Sequence, residues 1–523
     1  MFYIILIALW PVVNFLANNV GGLRFDLLGV WTDLGIIIAI LCTICVSGVY
    51  LATKITKKPV EFFILPLLIA VAGFFLYAPI VEDVIGDLSK WGLKATYIWL
   101  AFYLAALAIS LVISEYENVV KVSKILASAT VIFALFSLVH NVYDIYYSVQ
   151  ESRQILSESD KAQQNKHKYV FKHKPNIYYI LVDMYARQDT LKEVCGFDNE
   201  PFLKQLDDLG FAVSRTAWSN YESTVPSLSA TLNMNYHRLS NIDTGQVVFL
   251  KQIQVVFSYG GLVCKIFRDN GYKIVYYANH FAEAMLGSVD KFIKVSSGEL
   301  FCTIWHSTPL RVILFKYNTY VEVDKIIKAL DFYERQPKFI FAHILQAHDA
   351  IWDESGENKG GMVLVFPAPL SEARYKSSIK SLNISLIKCA KSIIEKDNNA
   401  VIIIQADHGI VYCGDHTTAD MNLLTKQPEK LTSCSNREAR YRLGIFSAVY
   451  VPEHLRNYRV DFDIYDYFSG SFSLVNVFRV LFATLSEERP DLLPDRSIYL
   501  YLDKQINAYR VHRVYEKSDL EAK

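Results

Sequence analysis

Hydrophobic positions are distributed in two different ways along this chain. Up to about residue 150 they form long, nearly unbroken runs: Phe2 to Ala17, Leu34 to Ala52, Phe62 to Val81, Tyr97 to Ser114 and Ile125 to Tyr147. A bilayer core of about 30 Å takes about 20 apolar residues in a helix. None of these segments carries Asp, Glu, Lys or Arg in its middle, so five membrane-spanning helices are predicted over residues 1–149. The fifth reaches the interface where His140, Asn141 and Asp144 enter the run. Trp10, Trp91 and Trp99 lie in or beside the spans and suit interfacial anchoring. The first run lacks a basic start and a small-residue cleavage site, and more spans follow it, so it reads as a retained helix rather than a signal peptide.

Residues 150–174 are polar and charged without an apolar period, and read as an amphipathic or loose juxtamembrane connector. Beyond them the pattern switches to short apolar runs: Asn176–Asp183, Lys273–Ala278, Lys338–Leu345, Ala400–Asp407 and Ile445–Val451. Such runs suit buried strands. Helical stretches separate them, at Pro201–Leu209, Leu262–Asn270, Val321–Tyr333, Ser371–Lys396 and Leu474–Leu485. Alternating strands and helices predict an α/β domain over residues 175–523, with a mostly parallel sheet covered by helices. The fold class expected is thus a transmembrane helical bundle followed by an α/β domain.

Charge sets the orientation. Lys54, Lys57 and Lys58 follow the second run, and Lys121 and Lys124 precede the fifth, whereas the other two loops hold only Arg24, Lys90 and Lys94. The excess of cations places the N-terminus in the cytoplasm, and five crossings then place the large domain outside. The basic stretch Lys161 to Lys174 runs against this, but it opens a long domain, and long domains translocate largely regardless of charge. Over all 523 residues, Lys plus Arg and Asp plus Glu are both 53, so there is no broad basic field for nucleic acid. The middles of the runs hold no ionisable group of the kind transport sites use, which favours an anchor able also to hold a lipid substrate over a transporter. Neither G-x-G-x-x-G nor a Walker pattern occurs. Eight cysteines include Cys42 and Cys45 in the second run; the other six show no C-x-x-C metal spacing, and an exported domain could pair them.

Three clusters carry candidate chemistry. Asp183 ends one strand, Asp407-His408-Gly409 ends another, and Ser219-Asn-Tyr-Glu-Ser-Thr224-Val-Pro-Ser-Leu-Ser229 is a polar turn leading into a helical pattern over Ser227–Asn233. Ligands of open α/β sheets bind at the C-terminal strand ends. A hydroxyl at a helix N-terminus, two carboxylates and an imidazole suit a divalent metal, which lowers the pKa of a hydroxyl nucleophile and offsets charge on a transferring phosphoryl group. Taken singly, each cluster has an ordinary structural reading as a cap, turn or surface group; together, in this order and at strand ends, they point to a site.

On these residues the soluble half resembles the alkaline phosphatase superfamily, and more closely its membrane-anchored sulfatase-like branch of lipoteichoic acid synthases and phosphoethanolamine or phosphoglycerol transferases. The matching segments are Tyr179–Arg187, Ser219–Leu228 with Leu232–Met234, Phe341–His348, Gln405–Gly409 and Ser473–Arg479. The resemblance implies Asp183, Asp407 and His408 as metal ligands, Thr224 as nucleophile and metal ligand, and His348 and His416 as substrate-side histidines. His343, in the strand, reads either as a buried structural histidine, the favoured reading, or as a group supporting the site. Where the family often has Pro-His followed by Pro-Phe, this chain has Ala347-His-Asp-Ala-Ile-Trp352, so the donor or acceptor pocket departs from the pattern. Thr224 and Leu228 replace the Cys or Ser and the Arg that formylglycine formation needs, which excludes sulfatase chemistry by that route.

The expectation is therefore an inner-membrane transferase with an extracytoplasmic catalytic domain. It uses zinc, manganese or magnesium to move a substituted phosphoryl group, such as phosphoglycerol or phosphoethanolamine, from a phospholipid donor to an envelope glycan or lipid acceptor. A hydrolase of the same fold and a non-catalytic envelope scaffold are the alternatives.

Overall fold

Strands that read IYYILV and VIIIQ are apolar on both faces, which only a sheet covered on both sides accommodates. In the computed structural model they are neighbouring central strands with every residue buried. The structure describes residues 1–19, 28–77, 80–81, 95–164, 169–237, 247–249, 261–278, 289–294, 308–309, 323, 336–349, 372–410, 436–456, 462–503 and 508–516. The chain divides into two compact units, one centred on Met1–Gln150 and the other on Glu151–Ser296 and Asn318–Lys523.

In the second unit, seven strands form one sheet: β1 (Ile177–Val182), β2 (Phe211–Ser214), β4 (Lys273–Ala278), β5 (Lys291–Lys294), β6 (Lys338–Ile344), β7 (Val401–Gln405) and β8 (Ser447–Tyr450), in the order β2-β8-β7-β1-β6-β4-β5. Only β8 runs against its neighbours, so the sheet is mostly parallel, as predicted. A smaller antiparallel sheet joins β3 (Val247–Phe249), β9 (Arg496–Asp503) and β10 (Ala508–Glu516) in the order β3-β10-β9. The five predicted strands are present, Lys273–Ala278 with the same bounds. β2 and β5, four residues each, are too short to show a period, and the small sheet is not among the predicted strands.

Helices Glu200–Asp208, Gly261–Asp269 and Glu372–Lys396 occupy the predicted stretches; Leu474–Leu485 is resolved into a 3-10 turn, Leu474–Asn476, and a helix, Val477–Ser486. The predicted helix Val321–Tyr333 lies outside the described residues apart from Val323. Aromatic packing joins helices to sheet: the Phe267 ring stacks on Phe339 of β6 at 4.5 Å and meets Phe482 edge-on at 5.0 Å. Cys195, Cys264 and Cys389 are buried and not disulfide-bonded, so the pairing considered from sequence does not involve them; Cys302, Cys413 and Cys434 lie outside the described residues.

In the first unit, helices Phe2–Asn19, Leu28–Thr56, Ile64–Phe75, Ala95–Ile113 and Glu117–Gln164 overlap the five predicted segments. The expected count of five crossings is nevertheless corrected. Among the described residues only Leu34–Thr56 and Glu117–Tyr143 are long and apolar enough to cross a membrane, whereas Phe2–Ala17, Val60–Phe75 and Tyr97–Ile113 are shorter. At about 1.5 Å of rise per residue, the described stretches of these shorter helices do not reach across a core of about 30 Å. The last helix also continues into the expected connector, as far as Gln164.

Gly73 lets the third and fourth apolar helices approach: a Cβ there would lie 2.4 Å from the Tyr103 ring, whose hydroxyl donates to Ala70 O at 2.9 Å. Small residues at such contacts are a feature of helices packing in lipid. Large apolar side chains face outward instead of inward, with Ile55 72%, Val112 68%, Phe133 77% and Phe136 72% exposed. An apolar surface of this kind marks a membrane or a partner.

Phe267→Ala removes the ring that joins helix to sheet. Chemical denaturation of the purified protein should show a loss of about 3–5 kcal/mol; a loss under about 1 kcal/mol contradicts this account of the core.

Candidate metal centre and nucleophile

β1 and β7 are parallel neighbours, so their C-terminal ends open at one sheet edge. Asp183 directly follows β1, Asp407 comes two residues after β7, and both side chains are buried. Asp407 Oδ1 accepts from two backbone amides, Met184 N at 3.3 Å and His408 N at 3.0 Å. Its other oxygen, Oδ2, has no hydrogen-bond partner among the described residues.

His408 supplies the third group. Its Nδ1 lies 2.8 Å from Gly409 O. A carbonyl only accepts, so Nδ1 carries the proton and Nε2 presents its lone pair. Nε2 lies 3.6 Å from Asp183 Oδ1, 3.5 Å from Asp407 Oδ2 and 3.2 Å from Thr224 Oγ1. Burial, and after it the Arg442 guanidinium, hold this imidazole below its ordinary pKa against the pull of both carboxylates. It is therefore neutral, the form that ligates metal.

One atom from each of Asp183, Asp407 and His408 lies within 4.8 Å of the others, all three residues being buried. Two carboxylates taken out of water beside an imidazole lone pair are costly unless a cation compensates them. The donor set, oxygen with one nitrogen, fits a divalent ion of the zinc or manganese type.

Thr224 completes the cluster. Its Oγ1 donates to Asp183 Oδ2 at 3.4 Å. It is the first residue of helix Thr224–Asn233, which begins three residues before the predicted Ser227, with Ser223 in extended conformation before it. The candidate nucleophile thus sits at the positive end of a helix, where backbone N–H groups suit phosphate oxygens. Its neighbours are engaged elsewhere. Ser223 Oγ donates to Glu222 Oε1 at 3.0 Å, and Ser227 Oγ donates to Asp407 O at 2.7 Å. Of these three hydroxyls only that of Thr224 meets the carboxylate–imidazole cluster.

The small sheet holds this turn. Leu500 N of β9 donates to Glu222 Oε2 at 2.9 Å, Ile498 N to Asn220 O at 2.8 Å, and Ser497 Oγ to Ser219 O at 2.6 Å. Burial raises the Glu222 carboxyl to about 7, opposed by the Leu500 N–H.

His343, for which a structural and a supporting role were both open, has its Nε2 3.0 Å from Asp183 Oδ2. The parallel register of β6 beside β1 pairs it with Leu181. The backbone of His348 is in the short helix Gln346–Asp349, which follows β6 at the same sheet edge. His416 lies outside the described residues. Sequence reasoning gave no role to Arg442, whose Nη1 donates to Gly409 O at 3.3 Å. It stands 33 residues after Gly409, and no spacing signals that contact.

No protein-family description and no curated protein sequence matches the chain. Solved structures with similarity to it include three proteins. The C-terminal periplasmic domain of EptC from Escherichia coli, in complex with Zn, is 15% identical over 60% of this chain and 83% of that one, with a TM-score of 0.38. The integral membrane protein lipooligosaccharide phosphoethanolamine transferase A from Neisseria meningitidis is 11% identical over 92% of this chain and 95% of that one, at 0.37. An alkaline phosphatase superfamily protein from Vibrio parahaemolyticus is 11% identical over 64% and 74%, at 0.38. These are the groups that the sequence motifs resemble. At such identities and TM-scores the likenesses carry no chemistry over to this chain.

Gly409 shows why this position takes glycine. A Cβ would lie 2.1 Å from Tyr441 O and 2.7 Å from Gly444 O, and the Gly409 amide donates to Arg442 O at 2.7 Å. Gly409→Ala must push the backbone beside His408 aside. Denaturant unfolding should register about 1–3 kcal/mol of lost stability, and unfolding indistinguishable from the parent's contradicts the packing described.

Proposed function

We propose that this chain is a membrane-anchored, metal-dependent transferase that passes a substituted phosphoryl group from a phospholipid to an envelope glycan or lipid through a covalent intermediate on Thr224. The observation that carries the reading is the convergence of the Thr224 hydroxyl with Asp183 and His408, at 3.4 and 3.2 Å, at the start of a helix. Asp183, Asp407, His408 and the Thr224 hydroxyl would hold the metal. A bound divalent cation lowers the pKa of a hydroxyl and offsets charge on a phosphoryl group.

The chain's own residues account for the rest. Thr224 Oγ1 attacks phosphorus, the Oγ1–P bond forms, and the P–O bond to diacylglycerol breaks, its oxygen taking up a proton. The acceptor hydroxyl then attacks phosphorus, gives up its proton, and releases Thr224 as a free hydroxyl. His348 and His416, by the family resemblance, hold the phosphoryl oxygens and carry these protons. His343 steadies Asp183, and Ser227 fixes the first turn of the helix to the Asp407 carbonyl. A phosphoethanolamine or phosphoglycerol headgroup suits a donor whose scissile bond lies at the headgroup layer.

The apolar helices supply the anchor, and their charges supply its orientation. Lys54, Lys57 and Lys58 close one full-length apolar helix, and Lys121 and Lys124 open the other. The Lys58–Glu115 ion pair, 2.7 Å, brings these two basic ends to one side. That side is cytoplasmic by the positive-inside rule. The helix from Glu117 to Tyr143 therefore leads outward, and the catalytic domain that follows is extracytoplasmic. A reporter fused after Lys523 should be active outside the cytoplasm and one fused at Lys57 inside; the reverse pattern overturns the orientation.

Chemistry is tested with full-length protein in vesicles of phosphatidylethanolamine and phosphatidylglycerol. The parent should release diacylglycerol and yield a phosphoryl adduct that peptide mass spectrometry maps to Thr224. Thr224→Ala should lose nearly all turnover, because the covalent step is gone. An adduct on Ser223 or Ser227, or normal turnover by Thr224→Ala, overturns the assignment. Diacylglycerol release without any modified acceptor in the presence of envelope glycans and lipids shifts the reading from transferase to hydrolase.

A further inference from the structure

We propose that Tyr375 is a positioning residue for the metal centre, acting by holding Met184 in a left-handed backbone conformation. The inference rests on the metal-centre reading above. Met184 directly follows Asp183 and has φ of 59°. Residues with a side chain seldom adopt this region and keep it only where their surroundings impose it; such outliers gather at functional sites.

Tyr375 is what imposes it. This residue is buried on helix Glu372–Lys396. Its hydroxyl donates to Met184 O at 2.8 Å and accepts from Ala186 N at 3.0 Å, bracketing the turn from both ends. Further along the same helix, Asn383 Oδ1 accepts from the Tyr185 hydroxyl at 2.5 Å, and Asn199 Nδ2 donates to that hydroxyl at 2.9 Å. One helix thus pins two successive residues after Asp183.

The turn held in this way serves both candidate carboxylate ligands. It carries Asp183 at its start, and it aims the Met184 N–H at Asp407 Oδ1, 3.3 Å away. The Tyr185 carbonyl accepts from Phe446 N at 3.1 Å, which ties the turn to the segment before β8. Without the Tyr375 hydroxyl, Met184 is free to relax to negative φ. The Met184 amide then leaves Asp407, and the two carboxylates lose their common orientation. Among the described residues the Tyr375 hydroxyl bonds the backbone of Met184 and Ala186 and no candidate ligand side chain, and this distinguishes it from the groups already assigned.

The test is zinc affinity of the full-length protein in detergent, measured by competition with a chromophoric chelator, together with the thermal midpoint. Tyr375→Phe keeps the ring and should weaken zinc binding roughly 10-fold, the usual effect of removing an outer partner of a metal site. Met184→Val leaves Tyr375 intact but opposes positive φ through its branched Cβ, and should weaken zinc binding by a similar factor. Adding Met184→Gly to Tyr375→Phe removes the Cβ penalty and should recover most of the affinity, even though the lost side chain lowers the thermal midpoint. Recovery of affinity against falling stability is a result that a merely structural tyrosine does not give. Zinc binding within twofold of the parent in both single variants, or no recovery in the double variant, overturns the role of Tyr375. A parent that takes up no zinc overturns the metal centre itself.

Discussion

Two carboxylates, Asp183 and Asp407, are buried side by side at the ends of adjacent parallel strands. Like charges so placed repel, and removal from water adds several kcal/mol for each ion. Few arrangements tolerate this. A cation is one, and the neutral His408 imidazole directs its lone pair to the point between them. The sheet edge, the paired strands and the turn after β1 all serve to hold these groups where a divalent ion satisfies them.

Several described contacts hold this cluster in place. Ser227 ties the first turn of the helix carrying Thr224 to the Asp407 carbonyl, so the candidate nucleophile and the candidate ligand share one frame. The small antiparallel sheet fixes the preceding turn through Glu222 and the backbone of Asn220. Gly409 lets the segment after His408 lie directly on the backbone of residues 441–444. Preorganisation of this kind suits phosphoryl transfer, where positioning and electrostatic stabilisation do most of the work.

Much of this was legible in the sequence because its signals are local. The runs ending at Asp183 and Asp407 read as strands since both faces are apolar, and the switch from long to short runs near residue 150 separated membrane helices from an α/β domain. The polar turn holding Thr224, leading into a helical pattern from Ser227, placed a hydroxyl near a helix start. Other features depended on register or on contacts distant in the chain. His343 looked like a core histidine because nothing in Phe341–His348 reveals that β6 pairs with β1. Tyr375 lies 191 residues from Met184, and no local pattern announces their contact. The strength of the apolar signal also misled: five runs are strongly hydrophobic, yet among the described residues only two helices are long and apolar enough to cross a membrane.

The metal content of the purified full-length protein tests the central claim most directly. Elemental analysis should find zinc or manganese at a stoichiometric level in the parent. In Asp407→Asn and His408→Ala that metal should be largely lost while circular dichroism remains that of the folded parent, because each variant removes one of few protein ligands. A parent purified without metal that takes up neither ion on titration, or a folded variant that retains the full complement, contradicts the account.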